Sequence, residues 1–319
     1  MATYHKVRAA PLRYRSHEED SERWVGFPFR EGDVVISTRS KSGTTWLQMI
    51  CALLVFQTPD LPAPLSELSP WLDWLPLSRD ELFTQLRDQR HRRFIKTHTP
   101  LDGIPLDPRV TYIVVARHPL DMAVSLYHQS ANIDRARLRH LTGQREPYGP
   151  SEPRRPLRDW LLHWIDDDVA PQDELDSLPG VMWHLSGAWA QRSKPNMVLM
   201  HYDELSTDLD GGMRHLADVL GIAVPDRAWP ALVQAATFDH MRAGAERLAP
   251  DPLGIFKDKA AFFRRGTSGS GRELLTGGEL AHYFARTAQM GPAALLMWLH
   301  RRDHDEAGLQ EPANDGRQK

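Results

Sequence analysis

The feature that most constrains the fold is a buried strand that leads through a short polar loop into an apolar helix. Residues 33–38 read "DVVIST", and this β-branched run between polar residues indicates a buried strand. The loop "RSKSG" follows, and residues 44–56, "TTWLQMICALLVF", predict a helix. Such a junction presents free backbone N–H groups and the positive end of a helix dipole, so it predicts an anion-binding turn.

Three more strands are expected from apolar runs bounded by polar residues. They are "RRFIKTH", "RVTYIVVAR" and "NMVLMHY", and helical patterns follow at "LDMAVSLYHQS" and near 208–220, where Gly221 ends the helix. This alternation predicts an α/β domain with a central, mostly parallel sheet flanked by helices. Ligands gather at the carboxyl ends of such strands. The polar side chains at or just beyond those ends are Lys41, His98, Arg117 and Tyr202.

The composition is that of a soluble globular protein and excludes several classes of function. The 319 residues are 41% hydrophobic and 25% charged, and the formal net charge of −3 gives no field that would attract nucleic acid. Cys51 is the single cysteine, so an internal disulfide and a multi-cysteine metal site are excluded. The N-terminus lacks a secretory signal, and the apolar run "MICALLVF" is far shorter than the about 20 residues of a membrane span. A cytoplasmic protein without an integral membrane segment is expected.

The turn at 39–43 differs from the familiar nucleotide-binding loop. That loop ends in Gly-Lys-Ser/Thr, whereas here Lys41 precedes Gly43, the only glycine of the turn, by two residues. A lysine in this place offers a mobile point charge to an anion. No acidic pair suggests the Mg²⁺ site of phosphoryl transfer from ATP, so no metal is expected.

The side chains around Lys41 suit an anion as well. Ser42, Thr44 and Thr45 add hydroxyl donors, and the Trp46 ring could stack on a base. The alternative is an ordinary helix start that Ser42 caps, with Trp46 in the core.

The second candidate is His98 in "IKTHTP", at the end of a predicted strand and before Pro100. An imidazole at this position can act as a general base near neutral pH. The alternative is a structural histidine whose ring nitrogens are satisfied by the fold.

The third candidate is "ARHPLDMAVSLYH". Arg117 ends a strand and Ser125 lies about two helical turns further on, so both can reach one phosphate. Asp121 is interpreted as a cap of the first helical turn, and His128 as a packing or capping residue.

The fourth candidate is the basic loop "FFRRGTSGSGRELL", which can close over a polyanion or remain a solvated surface loop. The phenylalanines before Arg264 indicate that its start is anchored.

The chain is divided into a lead-in at 1–30, a single domain at 31–303 and a flexible tail at 304–319. Within the domain, the Arg-, Pro- and Asp-rich segment 132–180 is either a surface excursion packed by the stripe of "LRDWLLHWIDD" or an acceptor-binding cap.

Six motifs together resemble the cytosolic-type sulfotransferases over about residues 33 to 275. In chain order they are "KSGTTW", "IKTHTP", "RHPLDMAVS", "VLMHYDEL", "ATFDHMR" and "FFRRG". The N-terminal half, with "LSPWL" and "HRRFIKTHTPLDG", looks particularly like actinobacterial glycolipid sulfotransferases. The resemblance implies a three-layer P-loop-like domain and 3′-phosphoadenosine 5′-phosphosulfate (PAPS) as donor. It also implies sulfuryl transfer to a hydroxyl of a glycolipid or another small lipophilic or aromatic alcohol.

The resemblance also implies a role for individual residues. The 5′-phosphosulfate would be cradled by Lys41, Ser42, Gly43, Thr44 and Thr45, and the adenine would contact Trp46, Tyr202 and Phe238. The 3′-phosphate would be held by Arg117, Ser125, Arg264, Arg265 and Gly266. His98 would be the base, and Lys41, helped by Lys96, would stabilise the leaving phosphate.

The chain departs from the family after Gly266, where Gly269-Ser270-Gly271-Arg272 replaces the usual Gly-Asp-Trp-Lys. The sequence therefore leaves the ordering of this loop open, together with the acceptor and the oligomeric state. Trp-rich segments such as "SPWLDWLPL" can line an acceptor pocket or fill the core. Two other functions are an inactive adenine-nucleotide-binding protein on the same fold and a P-loop kinase, which the position of Lys41 disfavours.

Overall fold

A parallel four-stranded sheet forms the centre of the computed structural model, which describes residues 10–145 and 153–301. The strands are β1 (Val34–Ser37), β2 (Phe94–Thr97), β3 (Thr111–Ala116) and β4 (Met197–His201). Their order is β2-β1-β3-β4, and each of the pairings between them is parallel. The expected α/β sheet is thus confirmed.

Helices fill the connections between and after the strands. They are α1 (Thr44–Phe56), α2 (Leu65–Leu68), α3 (Arg79–Asp88), α4 (Pro119–Asn132), α5 (Arg135–Leu141), α6 (Leu157–Asp166), α7 (Leu178–Trp189), α8 (Tyr202–Thr207), α9 (Leu209–Leu220), α10 (Trp229–Ala235), α11 (Phe238–Ala243), α12 (Ala245–Leu248), α13 (Lys259–Phe262), α14 (Gly277–Thr287) and α15 (Ala293–Leu299). Short 3₁₀ helices occur at Ser21–Trp24, Leu101–Gly103, Asp226–Ala228 and Arg272–Leu274. The predicted bounds of α1 are confirmed, and Gly221 ends α9 in a left-handed conformation, as expected.

The three-layer arrangement follows from the alternation of side chains along the strands. Val34 and Ile36 of β1 point to one face and pack with α1, α9 and α10. Val35 points to the other face and packs with α4, α7, α14 and α15. Both faces of the sheet are therefore covered, as parallel sheets require. Cys51 is fully buried in the first of these clusters, which confirms its interpretation as a packing residue.

The sheet order places a binding crevice beside β1. The chain leaves β1 through α1 and returns at β2 on one side, whereas β3 pairs with β1 on the other side. Helices α1 and α4 consequently lie on opposite faces of the sheet, and the carboxyl ends of β1 and β3 form a topological switch point. The turn at 38–43 and Arg117 flank this crevice.

The segments outside the sheet pack closely against it. In the lead-in, Tyr14 and Trp24 are buried, and Trp24 Nε1 donates to Asp73 at 2.7 Å. In the segment 132–180, Leu161 and Trp164 of α6 are buried against the helices of the second face. The expected domain boundaries stay predictions, and the tail 304–319 lies outside the described residues. Among the described helices, none combines the length and the apolarity that crossing a bilayer requires.

Candidate active site

A cavity of about 840 Å³ opens at the carboxyl edge of the sheet, and the sequence-predicted residues converge on it. Those that line it are Lys41, Gly43, Thr44, Thr45, Trp46, Lys96, His98, Arg117, Ser125, Tyr202, Phe238, Arg264, Arg265 and Gly266. Ser42 alone among the predicted residues does not line the cavity. Its backbone N–H donates to the Arg39 carbonyl at 3.2 Å and is thus not directed to a ligand.

The turn after β1 is held in an unusual backbone conformation. Lys41 has a φ of 63° and Gly43 a φ of 106°, both in the left-handed region. Gly43 is also the N-cap of α1 and provides no side-chain cap, so the interpretation of Ser42 as the cap is wrong. The first N–H groups of a helix have no intrahelical acceptor, and here no cap competes with an anion for them. Strained turns of this kind typically occur at binding sites.

Cations crowd around Lys41. Burial and, to a smaller extent, the charges of Arg117, Lys96 and Arg264 lower the pKa of Lys41 to about 7. The ammonium rests 3.7 Å from the centroid of the Phe262 ring. Like charges gathered in a buried site repel one another, and a bound anion would relieve that repulsion.

His98 is oriented as a base requires. It is 6% exposed, and its Nδ1 lies 2.6 Å from the Thr38 carbonyl oxygen. Because a carbonyl only accepts, Nδ1 carries the proton and Nε2 keeps its lone pair. Burial and the charges of Lys96 and Arg39 hold the pKa of His98 well below its usual value. The imidazole is therefore neutral at pH 7.

Two groups that the sequence reasoning missed hold the strand end around His98. Asp73 accepts hydrogen bonds from Thr97 Oγ1 at 2.5 Å and from Thr99 Oγ1 at 2.8 Å. Arg39 donates to the backbone carbonyl of His98 and forms an ion pair with Asp176 at 2.6 Å. A carboxylate inside the apolar stretch "SPWLDWLPL" was the available signal for Asp73. The partner of Arg39 lies 137 residues away, so its role left no local signal.

The Arg117 guanidinium is held between the turn that contains Lys41 and the basic loop that contains Thr267. It lies over the Tyr202 ring at 4.4 Å, donates to the Lys41 carbonyl at 3.1 Å, and donates to the Thr267 carbonyl at 3.0 Å. Trp46 meets Tyr202 edge-on at 5.1 Å, and its Nε1 donates to the Ala236 carbonyl at 2.8 Å. These aromatic rings form a wall against which a planar base can pack.

The basic loop lies over the same cavity, and its anchoring differs from the expectation for Asp121. The side-chain cap of α4 is His118, which accepts from the Leu120 N–H, so the interpretation of Asp121 as a cap is wrong. Asp121 instead accepts from the backbone of the loop at Gly269. At Gly266, φ is 68° and an added Cβ would lie 2.4 Å from the Phe238 ring, so only glycine fits.

Of the two Trp-rich segments, one lines the cavity and the other packs in the core. Trp71 and Trp74 line the cavity and stack at 5.6 Å, and Trp71 also meets the His98 ring at 4.8 Å. Trp164 is instead buried in the core, and Trp160 packs on its edge. From the segment 132–180, the cavity is lined by Ile133, Arg135 and residues 172–176, whereas α6 does not contribute.

A comparison with family models decides the family. The model described as "Sulfotransferase domain" matches residues 31–292, which is most of the chain. The chain belongs to the sulfotransferase family. It is therefore a transferase of sulfuryl groups, which disfavours a kinase, since a kinase transfers phosphoryl groups, and an inactive nucleotide-binding protein.

Known sulfotransferases resemble this one along most of its length. It is 40% identical over 314 residues to the glycolipid sulfotransferase of Mycobacterium bovis, covering 92% of this chain and 96% of that protein. It is 27% identical over 262 residues to human sulfotransferase 2B1, covering 77% of this chain and 62% of that protein. Mouse sulfotransferase SULT7A1, solved in complex with PAP, shares the fold with a TM-score of 0.67 at 20% identity, covering 91% and 96% of the two chains.

Proposed function

We propose that this sulfotransferase moves the sulfuryl group of PAPS to a hydroxyl of a glycolipid, with His98 as the general base. The observation that carries the proposal is the convergence of Lys41, His98 and a cluster of further cations on one cavity at the switch point of the sheet. Relatives named glycolipid sulfotransferases and a fold neighbour complexed with PAP support the acceptor and the donor.

The donor fits the part of the cavity beside β1 and β3. The 5′-phosphosulfate lies against the first N–H groups of α1 and Lys41, where the helix dipole adds positive potential. The adenine packs against the aromatic wall of Trp46, Tyr202 and Phe238. The 3′-phosphate is bound by three guanidinium groups together with the neighbouring serine and glycine; these residues are Arg117, Arg264, Arg265, Ser125 and Gly266.

The reaction is an in-line displacement at sulfur. His98 Nε2 takes the proton of the acceptor hydroxyl while that oxygen forms a bond to sulfur. The bond between sulfur and the bridging oxygen breaks, and its electron pair stays on the phosphate of the leaving nucleotide. Lys41 stabilises this growing negative charge, with Lys96 as a second cation. Lys96 is close to the reaction because its ammonium lies 3.8 Å from the Trp71 ring, which contacts His98.

The cavity wall beside His98 suits a molecule with a polar head and an apolar body. Its polar part is rich in carboxyl groups and includes Glu18, Glu19, Glu174 and Asp176. Carboxyl groups, ionised or protonated, can form hydrogen bonds with the hydroxyls of a sugar. Its apolar part is one cluster, in which Trp71, Trp74, Ile133, Ile255 and Phe256 pack together. This cluster continues to the active centre because Phe256 stacks on Phe262, the ring beneath Lys41.

The test is transfer of radiolabelled sulfate from PAPS into a glycolipid fraction, with identification of the product by mass spectrometry. Labelled glycolipid is expected, whereas the same lipid without its sugar head should remain unlabelled. Label in simple phenols or sterols at comparable kcat/KM would contradict the glycolipid assignment. Absence of transfer to every acceptor, despite binding of the nucleotide, would contradict the proposed reaction.

Binding of adenosine 3′,5′-bisphosphate (PAP) is expected to take up protons at pH 8. Burial and neighbouring cations lower the pKa of Lys41 to about 7, so most Lys41 side chains of the free protein are neutral at pH 8. A bound phosphate raises that pKa again. Calorimetry in buffers of different ionisation enthalpy should show an uptake of roughly one proton per PAP. The affinity should fall as the pH rises from 7 to 9.

The control for this measurement is Lys41→Met, which removes the titrating group and keeps the length of the side chain. Most of the proton uptake should disappear in this variant. Unchanged uptake would show that other groups titrate and that Lys41 does not face the bound phosphate.

A further inference from the structure

The loop after Gly266 is tied to the sheet edge by the buried carboxylate of Asp121, which is 2% exposed. One of its oxygens accepts from the Gly269 N–H at 2.7 Å. The other accepts from the Gly271 N–H at 2.9 Å and lies 3.3 Å from Ser270 Oγ. Three donors of one short loop thus converge on a single side chain that lies about 150 residues earlier in the sequence.

Two further contacts fix the same loop from the ends of β3 and β4. Ser268 Oγ donates to Asp203, a buried residue of α8 that follows β4. Arg117, which follows β3, donates to the Thr267 carbonyl at 3.0 Å. The loop is therefore bound at successive residues, although it contains none of the regular secondary structure that would hold it by itself.

The shape of the loop also requires close contact with α4. An added Cβ at Gly271 would lie 2.5 Å from the backbone carbon of Leu120 and 2.6 Å from its carbonyl oxygen. Backbone atoms cannot give way as a flexible side chain can. The absence of a side chain at Gly271 thus lets the loop approach the helix that carries Asp121.

We infer that Asp121 is a positioning residue that fixes this loop so that Arg264, Arg265 and Gly266 face the 3′-phosphate of the donor. The inference rests on the proposed function, because it takes the nucleotide bisphosphate as the ligand. A carboxylate suits this task because hydrogen bonds to a charged acceptor are about twice as strong as neutral ones. A loop ordered before binding also spares the donor the entropic cost of ordering it.

The test compares PAP with adenosine 5′-phosphate, which lacks the 3′-phosphate. In Asp121→Ala the loop loses its anchor, and calorimetry should show PAP affinity reduced roughly 10- to 100-fold. Affinity for adenosine 5′-phosphate should remain near that of the wild type. The KM for PAPS should rise in parallel, while kcat at saturating donor stays near wild type. Asp121→Asn keeps one accepting oxygen, so its PAP affinity should lie between those of the wild type and Asp121→Ala.

Asp208→Ala is the control, since Asp208 also accepts a backbone N–H, from Gly211 at 2.8 Å, but this contact lies at the start of α9 and not in the loop after Gly266. It should keep the preference for PAP. If Asp121→Ala does not fold, Gly271→Ala tests the inference with the carboxylate intact, because the added methyl group forces the loop off α4. That variant should also lose the preference for PAP.

The outcomes separate the inference from the proposed function. A wild-type protein that binds PAP and adenosine 5′-phosphate equally would contradict the proposed 3′-phosphate site itself. A wild-type preference for PAP that survives in both Asp121→Ala and Gly271→Ala would overturn the role of Asp121 and leave the donor assignment intact.

Discussion

Alanine in place of His98 is expected to lower kcat for sulfuryl transfer roughly 100-fold or more, the usual effect of losing a positioned base. The imidazole is buried, and its Nδ1–H donates to the Thr38 carbonyl, so Nε2 is the free lone pair. The pKa of His98 lies well below its usual value, mainly because of burial, and no proton has to leave it before it can act at pH 7. PAP affinity should change little, since the cations that bind the nucleotide remain. Steady-state kinetics together with calorimetry measure both quantities.

His184→Ala is the matched control for His98. His184 is also buried, lies 3.3 Å from Ser37 Oγ, and has a pKa that burial lowers to about 3, but it does not line the cavity. The His184→Ala variant should unfold at a lower temperature than the wild type but should keep most of the wild-type kcat. Turnover of His98→Ala close to the wild-type rate would contradict the base assignment, and equal losses in both variants would indicate a structural effect. In the wild type, the acid-side fall of kcat/KM should begin well below the usual pKa of a histidine, because burial and neighbouring cations hold the pKa of His98 down.

Lys41→Met is expected to lower kcat about 10²- to 10³-fold, the magnitude typical of losing a preorganised charge at a developing anion. Methionine keeps the length of the side chain and its contact with Phe262, so the decrease in kcat measures mainly the effect of removing the charge. The ammonium acts most strongly when the leaving phosphate gains charge, and kcat should therefore fall more than donor affinity. Kinetics at saturating PAPS and calorimetry with PAP separate the two effects.

Lys96→Met serves as the comparison for Lys41. The Lys96 ammonium rests over the Trp71 ring, and burial lowers its pKa to about 8, so it is a second buried cation on the same wall. As a helper it should contribute less to kcat than Lys41. A larger loss for Lys96→Met than for Lys41→Met would reverse the assigned roles. An unchanged kcat in Lys41→Met would remove that residue from the chemistry.

The location of the site could be predicted from local patterns in the sequence. Apolar runs of strand length alternate with helical patterns, and parallel strands place their carboxyl ends at one edge of the sheet. Lys41, His98, Arg117 and Tyr202 were expected to converge for that reason alone, and they line one cavity. The bounds of α1 were predictable as well, since its apolar run begins directly after the glycine of the turn.

One error concerns a side chain whose partner is distant in sequence, and the other concerns a turn whose backbone geometry excludes the expected cap. Asp121 has the local signature of a helix cap, yet the cap is His118, and the carboxylate turns to a loop about 150 residues further on. Ser42 has the composition of a cap, yet Gly43 starts the helix because the chain must turn sharply after Lys41. In both cases the local preference was weaker than the geometry that the surrounding fold imposes.

The sequence by itself determined the alternation of strands and helices, the edge at which ligands bind and the residue types available there. These follow from periodicity and from residues at strand ends, which are properties of neighbours along the chain. Only the tertiary structure decided that residues 14–19 wall the cavity, that Arg39 meets Asp176, and that Asp121 holds the basic loop. The last two contacts join segments more than 100 residues apart, and all three features are fixed by how the layers pack rather than by any local preference.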